Sequence, residues 1–390
     1  MKYKFPLAVS TWGKEEFIAL RKVIKSKSFT MGKMVIKFEN SFAKYVKSKY
    51  AIMVNSGSSA NLIAIASLFY KKNNPLKHND EVIVPAISWS TTYYPLLQYG
   101  LRLRFVDVDL DTLNYDLKKL KQAITSKTKL LIAVNLLGNS NDFDKIKKII
   151  SKKNILLFED NCESLGAKYN KKKTGTFGII GTHSTFFSHH ISTMEGGVVV
   201  TDNKELYHIM LSLRSHGWTR NLPKKNLVYR KKHSDSFQNS FRFILPGYNL
   251  RPLELEASVG IEQLKKLPNF IKNRRQNAKI FIKLFKNHPN FIVQKEIGDS
   301  SWFGFSLIIR PNSKITRKQL IKLLTFSGIE FRPIVAGDFT QNEVIKYFDY
   351  DIPFELKNAK YIHDNGLFIG NNHILKEKEI LSLFNLLSKK

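Results

Sequence analysis

The segment Thr182–Gly197, THSTFFSHHISTMEGG, sets two adjacent histidines, His189 and His190, shortly before a Glu-Gly-Gly turn. An imidazole titrates near pH 6.5 and exchanges protons at neutral pH, so either ring is a candidate general base. A histidine pair also invites a metal, but neighbours on a strand point to opposite sides and seldom share one ion. From the residues alone, a core or surface His pair stays open as well. A second cluster, Phe158-Glu159-Asp160-Asn161-Cys162-Glu163, ends an apolar run in carboxylates. The carboxyl ends of strands in an α/β sheet face the ligand crevice. A carboxylate there binds a cation, a metal or a protonated ring nitrogen, or simply caps the next helix. No His or second carboxylate sits beside it at regular ligand spacing, so no metal site is expected. The third cluster, Asn55-Ser56-Gly57-Ser58-Ser59-Ala60, follows a short apolar run and opens a helix. Exposed N–H groups, serine hydroxyls and the helix dipole make an anion site there, or a plain serine-capped loop.

The elements that must position these groups are legible as alternating runs. Glu81–Pro85, Leu103–Val108, Leu130–Asn135, Ile155–Asp160 and Gly197–Thr201 read as buried strands. Between them, Ala60–Lys71, Leu117–Ile124 and Asp142–Lys152 carry helical periodicity. Alternation of this kind implies an α/β fold with a mainly parallel sheet covered on both faces. After about Pro246 the pattern becomes a long helix, Leu253–Phe285, then Ser301–Arg310, a helix at Thr316–Ser327 and a strand at Ile329–Pro333. The reading is a large domain over residues 1–246 and a smaller α+β domain over 247–390.

Composition removes whole classes. At 390 residues and 43% hydrophobic, the chain is long enough for two or three domains with a real core. Cys162 is its only cysteine, which excludes an intrachain disulfide, a cysteine zinc finger and a four-thiolate iron–sulfur cluster. The net charge of +31 invites a nucleic-acid reading. However, 50 of the 63 cations are lysines scattered along the helices, so we expect no nucleic-acid partner. The charge reads as solvated surface, with attraction of an anionic substrate as a minor contribution. Apolar runs fall far short of the ~18 residues that span a bilayer, and MKYKFPLAVSTWG lacks the apolar core of a signal peptide. A cytoplasmic chain without a membrane partner is the expectation.

Further signatures fall in one order along the chain. They are Ser56–Ala60, Val82–Pro85 with Trp89, Asp107-Val108-Asp109, Leu137-Gly138-Asn139, Glu159-Asp160, Gly175–Gly178 and Glu195-Gly196-Gly197. In that order they resemble the DegT/DnrJ/EryC1/StrS sugar aminotransferases, over nearly the whole chain and through Gly247–Pro252 and Arg332-Pro333. The resemblance implies the fold type I, aspartate-aminotransferase-like architecture. It also implies a pyridoxal or pyridoxamine 5'-phosphate cofactor and a homodimer with shared active sites. By that resemblance Gly57, Ser58 and Ser184 hold the cofactor phosphate, Trp89 stacks on the ring and Asp160 pairs with the ring nitrogen. Glu163 lies near the ring 3-oxygen, and Asn249 reaches the cofactor phosphate of the second subunit. Arg220 and Arg332 are the candidates for a nucleotide diphosphate. His216 is a candidate for catalysis or for ordering its loop.

One departure matters more than the matches. In the aminotransferases a lysine six residues before the Glu of Glu-Gly-Gly holds the cofactor covalently, and here that position is His189. Imidazole makes no stable aldimine, so the covalent anchor is lost while a base remains. The run Ser188–Gly197 is similar to the sugar 3-dehydratases of the family. One branch carries an iron–sulfur cluster on several cysteines; the other acts on a GDP-linked 4-keto-6-deoxymannose without one. The single cysteine leaves the second branch, with noncovalent cofactor, L-glutamate as amino donor and no iron–sulfur reductase. A sugar aminotransferase using another lysine and a non-catalytic regulator are the alternatives, although Lys171–Lys173 have the wrong spacing for the first.

Overall fold

The computed structural model describes residues 3–229 and 235–388. Its strands are β1 (Tyr50–Val54), β2 (Glu81–Pro85), β3 (Arg102–Val106), β4 (Thr128–Val134), β5 (Leu156–Asp160), β6 (Lys168–Tyr169), β7 (Lys172–Lys173), β8 (Ile180–Ser184), β9 (Gly197–Thr201), β10 (Phe291–Ile292), β11 (Gly304–Ile309), β12 (Phe331–Arg332), β13 (Tyr350–Asp351) and β14 (Gly366–Gly370). Eight of them form one sheet in the order β1-β9-β8-β5-β4-β2-β3-β13, parallel throughout except that β9 runs against both neighbours. A second, antiparallel sheet has the order β10-β11-β14-β12, and β6 and β7 make a separate hairpin. The mixed, mostly parallel sheet agrees with the alternation in the sequence.

The large sheet is buried on both faces because β2, β4 and β9 carry near-continuous apolar side chains that helices can cover. Its last edge strand, β13, comes from far along the chain and pairs in parallel with β3. The helix Glu254–Phe285 packs along helices Lys14–Ser26 and Lys33–Val46, two elements without a counterpart in the sequence reading. Glu254 fixes that contact. Its carboxylate accepts the free N–H groups of Gly32, Met34 and Val35 at 2.8–2.9 Å, so a residue from the long helix caps the start of the second one.

Two features of the chemistry-bearing segments differ from expectation. Strand β8, Ile-Gly-Thr-His-Ser, has no apolar alternation to announce it, yet every residue in it is buried. Two of its polar side chains find partners inside: Thr182 Oγ1 donates to Asn61 Oδ1 at 2.6 Å, and Asn161 Nδ2 lies 3.1 Å from His183 Nδ1. His189 and His190 lie beyond the strand end, in the loop joining β8 to β9. Thr185 N–H bonds Gly196 O at 2.9 Å and Thr193 N–H bonds Thr185 O at 2.9 Å, closing the neck of that loop. The two rings therefore part by loop geometry and not by strand pleat.

Glu159, buried on β5, accepts the N–H groups of Gly175 at 2.6 Å, Gly178 at 2.7 Å and Phe177. These bonds anchor the turn that feeds β8. In Glu159→Gln a side-chain N–H replaces one acceptor oxygen and faces backbone donors. Each donor left without a partner costs about 1–3 kcal/mol, so thermal unfolding of the variant should begin several degrees below the parent. An unchanged midpoint would show that the turn holds without the carboxylate.

Candidate active site

A cavity of roughly 300 Å³ opens where the C-terminal ends of β2, β4 and β5 meet the start of helix Gly57–Phe69. Gly57, Ser58, Trp89, Asp160, Glu163, Ser184, His189 and Arg332 all line it. Three clusters, the first of them about a hundred residues before the other two in sequence, thus converge on one space. His216, Arg220 and Asn249 do not line it. They share a separate surface corner: His216 N–H bonds Tyr248 O at 2.7 Å, Ser215 bridges Asn249, and the Arg220 guanidinium lies 6.0 Å from the Trp218 ring. Asn249 is exposed there, its Oδ1 accepting from Arg251 Nε at 2.9 Å.

Gly57 is required by a close approach. A Cβ built on it would stand 2.7 Å from Ser184 Cβ, inside any tolerable contact. Ser56 caps the helix, its Oγ accepting Ser59 N–H at 3.0 Å, which leaves the Gly57 and Ser58 N–H groups at the positive end of the dipole. The Ser58 hydroxyl lies 3.0 Å from Thr91 Oγ1. With Ser184 alongside, the arrangement is a cradle for a compact anion.

Asp160 is held on both oxygens. Asn61 Nδ2 donates to Oδ2 at 2.9 Å, Thr92 Oγ1 donates to the same oxygen at 2.7 Å, and Cys162 N–H reaches Oδ1 at 3.2 Å. Three donors suit a carboxylate facing a cationic N–H. Asn61 and Thr92 escaped the sequence reading because nothing local marks a helix residue as the partner of a strand end 99 or 68 positions away.

His189 Nδ1 lies 2.8 Å from the Cys162 carbonyl oxygen. A carbonyl only accepts, so Nδ1 carries the proton and Nε2 keeps its lone pair for the cavity. Packing around the ring, with Phe303 at 5.2 Å, lowers its pKa to about 4, against a small upward pull from the Cys162 hydrogen bond. His190 turns away: its Nε2 meets Ser301 O at 3.3 Å, and burial holds it neutral. Glu163 Oε2 accepts Leu137 N–H at 2.9 Å, and burial followed by the Asp160 charge raises its pKa to about 7. Phe303, Val335 and Phe368 form an apolar wall from residues beyond 300, which the sequence reading did not assign to the site.

Residues 10–387 match the DegT/DnrJ/EryC1/StrS aminotransferase family. The chain belongs to that family. Among its relatives, the GDP-4-keto-6-deoxy-D-mannose 3-dehydratase of Yersinia pseudotuberculosis is 58% identical over 386 residues, covering 99% of this chain and 98% of the relative. Two solved structures of GDP-4-keto-6-deoxymannose-3-dehydratase superpose with TM-scores of 0.97 at 57% identity, covering 98% of this chain and all of theirs. One is a mutant with bound GDP-perosamine, and the other holds a trapped PLP-glutamate geminal diamine. For a DegT/DnrJ/EryC1/StrS member, a cavity lined by histidine and, among the described residues, by no lysine is the distinguishing feature.

Burial keeps several imidazoles neutral, with His183 lowered to about 3 and His189 to about 4. A folded-state pKa below the unfolded value near 6.5 means that their contribution to stability is intact above pH 6.5. It is lost as pH falls from there toward 4, by up to about 1.4 kcal/mol per pH unit and group. Glu163, raised in the folded state, acts with the opposite sign, so single variants carry the test. His183→Asn keeps an acceptor for Asn161 but removes the titration. Its urea midpoint should fall less steeply between pH 6.5 and 4.5 than that of the parent. Parallel curves would mean that His183 is not protonated on unfolding.

Proposed function

We propose that this protein is a GDP-4-keto-6-deoxy-D-mannose 3-dehydratase that works with noncovalently bound pyridoxal/pyridoxamine phosphate. The observation that carries the reading is His189 Nε2, an unprotonated base at the cavity where the family's aminotransferases carry a lysine. The residues present fit the cofactor. The Gly57 and Ser58 N–H groups at the helix start and the Ser184 hydroxyl beside them line the cavity as donors for a phosphate, Asp160 offers a carboxylate to a protonated ring nitrogen, and Trp89 offers a flat face.

When bound, pyridoxamine phosphate supplies an amine for the substrate's C4 ketone and a ring that takes up electrons. The chain's residues do the rest. Asp160 keeps the ring nitrogen protonated, and Asn61 and Thr92 hold Asp160 in place. His189 Nε2 takes the proton from carbon, with the ring oriented by its Nδ1–H bond to Cys162 O. Phe303, Val335 and Phe368 exclude water from the reacting atoms. Loss of the C3 hydroxyl as water, with hydrolytic release of the amine nitrogen as ammonia, gives GDP-4-keto-3,6-dideoxy-D-mannose. L-Glutamate restores the amine form and supplies the electrons overall, so the reaction calls for no iron–sulfur reductase.

Arg332, at the cavity edge on β12, is the cation for the substrate's diphosphate. The separate corner of His216, Arg220 and Asn249 supports a homodimer in which one protomer completes the site of its partner. Residues 1–246 bind the cofactor in this reading, and 247–390 form the smaller domain, which returns β13 to the large sheet. We place the enzyme in the cytoplasm, where nucleotide sugars are made. Among the described residues no helix is long and apolar enough to cross a membrane.

His189→Asn retains polarity without a base. It should bind the cofactor like the parent and dehydrate 10²–10⁴-fold more slowly, on the order of a lost general base. Dehydration at the parent rate would remove His189 from the reaction. In the parent, kcat/KM should hold from pH 7 down to below 6 and fall only toward pH 4, because the base form of His189 persists to the lowered pKa. Asp160→Ala should lose both cofactor affinity, read by equilibrium dialysis, and turnover. Full turnover by that variant would exclude the ring-nitrogen role.

A further inference from the structure

Two of the carboxylates that face the cavity, Asp160 and Glu163, come from the end of β5 and the turn after it, and their surroundings differ. Asp160 collects three hydrogen-bond donors. Glu163 has one, Leu137 N–H on Oε2, and no ion pair among the described residues, in a chain with a formal charge of +31. The backbone that supplies its donor is itself fixed. Leu137 sits at φ 52°, and its carbonyl accepts Phe303 N–H at 3.0 Å. Arg274, buried under the wall, donates to Phe303 O at 3.1 Å and to Asn371 O. The segment that packs on His189 therefore also sets the position of Glu163.

We propose that Glu163 is the general acid of the dehydration. With Oε2 tied to Leu137 N–H, the carboxyl carries its proton on Oε1 and gives it to the departing C3 hydroxyl oxygen, while His189 Nε2 accepts the proton released from carbon. The inference rests on the dehydratase reading of this site and divides between two residues the work that one histidine would otherwise do alone.

The step balances. The electron pair left by the C–H bond flows toward C3, the C3–O bond breaks with its pair on oxygen, and the Glu163 proton completes a water molecule. Glu163 ends as carboxylate and His189 as imidazolium, and return of one proton from His189 to Glu163 through solvent resets both. The titratable groups sharing the cavity are Asp160 and Cys162 from the β5 end, His189 and Glu195 from the β8–β9 loop, and Arg332 from β12. The turn Leu136–Gly138 presents only backbone to the carboxyl. Burial and Asp160 raise Glu163 to about 7, and packing lowers His189 to about 4, so each group enters in the form its role needs near neutrality. An anionic diphosphate substrate adds to the field that favours the protonated carboxyl.

Glu163→Gln tests this, because the amide oxygen still accepts Leu137 N–H while no acidic proton remains. Its kcat should fall 10²–10⁴-fold with KM within a few-fold of the parent. The parent's loss of rate above pH 7 should be absent from the residual activity. Infrared difference spectra of the protein without substrate provide a readout apart from turnover. A protonated-carboxyl band should be present at pH 6, fade as pH rises past 7, and be missing from Glu163→Gln. Glu163→Asp, which keeps an acid on a shorter stem, should recover part of the rate. Parent-level turnover by Glu163→Gln, or no titrating band in the parent, overturns the acid role while the dehydratase reading stands. A parent protein that binds the cofactor yet dehydrates no GDP-linked 4-keto-6-deoxymannose overturns the functional reading and the acid role with it.

Discussion

Two adjacent carboxylates at the end of one strand govern the architecture of this site. The pleat of β5 sends neighbouring side chains to opposite faces, so Glu159 and Asp160 cannot share a task. Glu159 turns into the protein and gathers the N–H groups of the 175–178 turn, which delivers β8 and, at its end, Ser184. Asp160 turns to the cavity and is clamped by Asn61 and Thr92, one from each of the helices that follow β1 and β2. One carboxylate brings the anion cradle to its place; the other faces what the cradle holds. Exchanging their roles would need a one-residue slip of β5 against β4 and β8, which would also turn Phe158 and Leu157 inside out.

Burial then decides protonation. The same exclusion of water lowers the imidazole of His189 and raises the carboxyl of Glu163, because in each case the charged form loses solvation. The hydrogen bond from His189 Nδ1 to a backbone carbonyl adds a directional element that burial lacks, since it selects which ring nitrogen stays free. A lysine in this place would have to keep a charge or find a covalent partner. A histidine stays neutral and available.

The apolar wall comes from the other end of the chain. Phe303 is held between Leu137 O and the Arg274 guanidinium, and it packs on both His189 and His190. Gly138, at φ 92°, permits this docking, since a Cβ there would stand 2.5 Å from Trp302 N. The second sheet thus supplies the dry side of a cavity whose polar side belongs to the first.

What the sequence determined by itself was local and periodic. Runs of apolar residues about five long, alternating with amphipathic helices, dictated a covered parallel sheet, and the order of short polar turns marked where its chemistry lies. A single cysteine and a histidine in place of a lysine narrow the reaction by themselves. Strand β8 was illegible, because its polar residues are paid for by partners distant in sequence, and so were the helices Lys14–Ser26 and Lys33–Val46. Only the tertiary structure decided that His189 faces the cavity while His190 turns away, that Asn61 and Thr92 hold Asp160, and that Phe303 closes the site. Those outcomes depend on contacts between residues tens to hundreds of positions apart, and no local propensity or spacing encodes them.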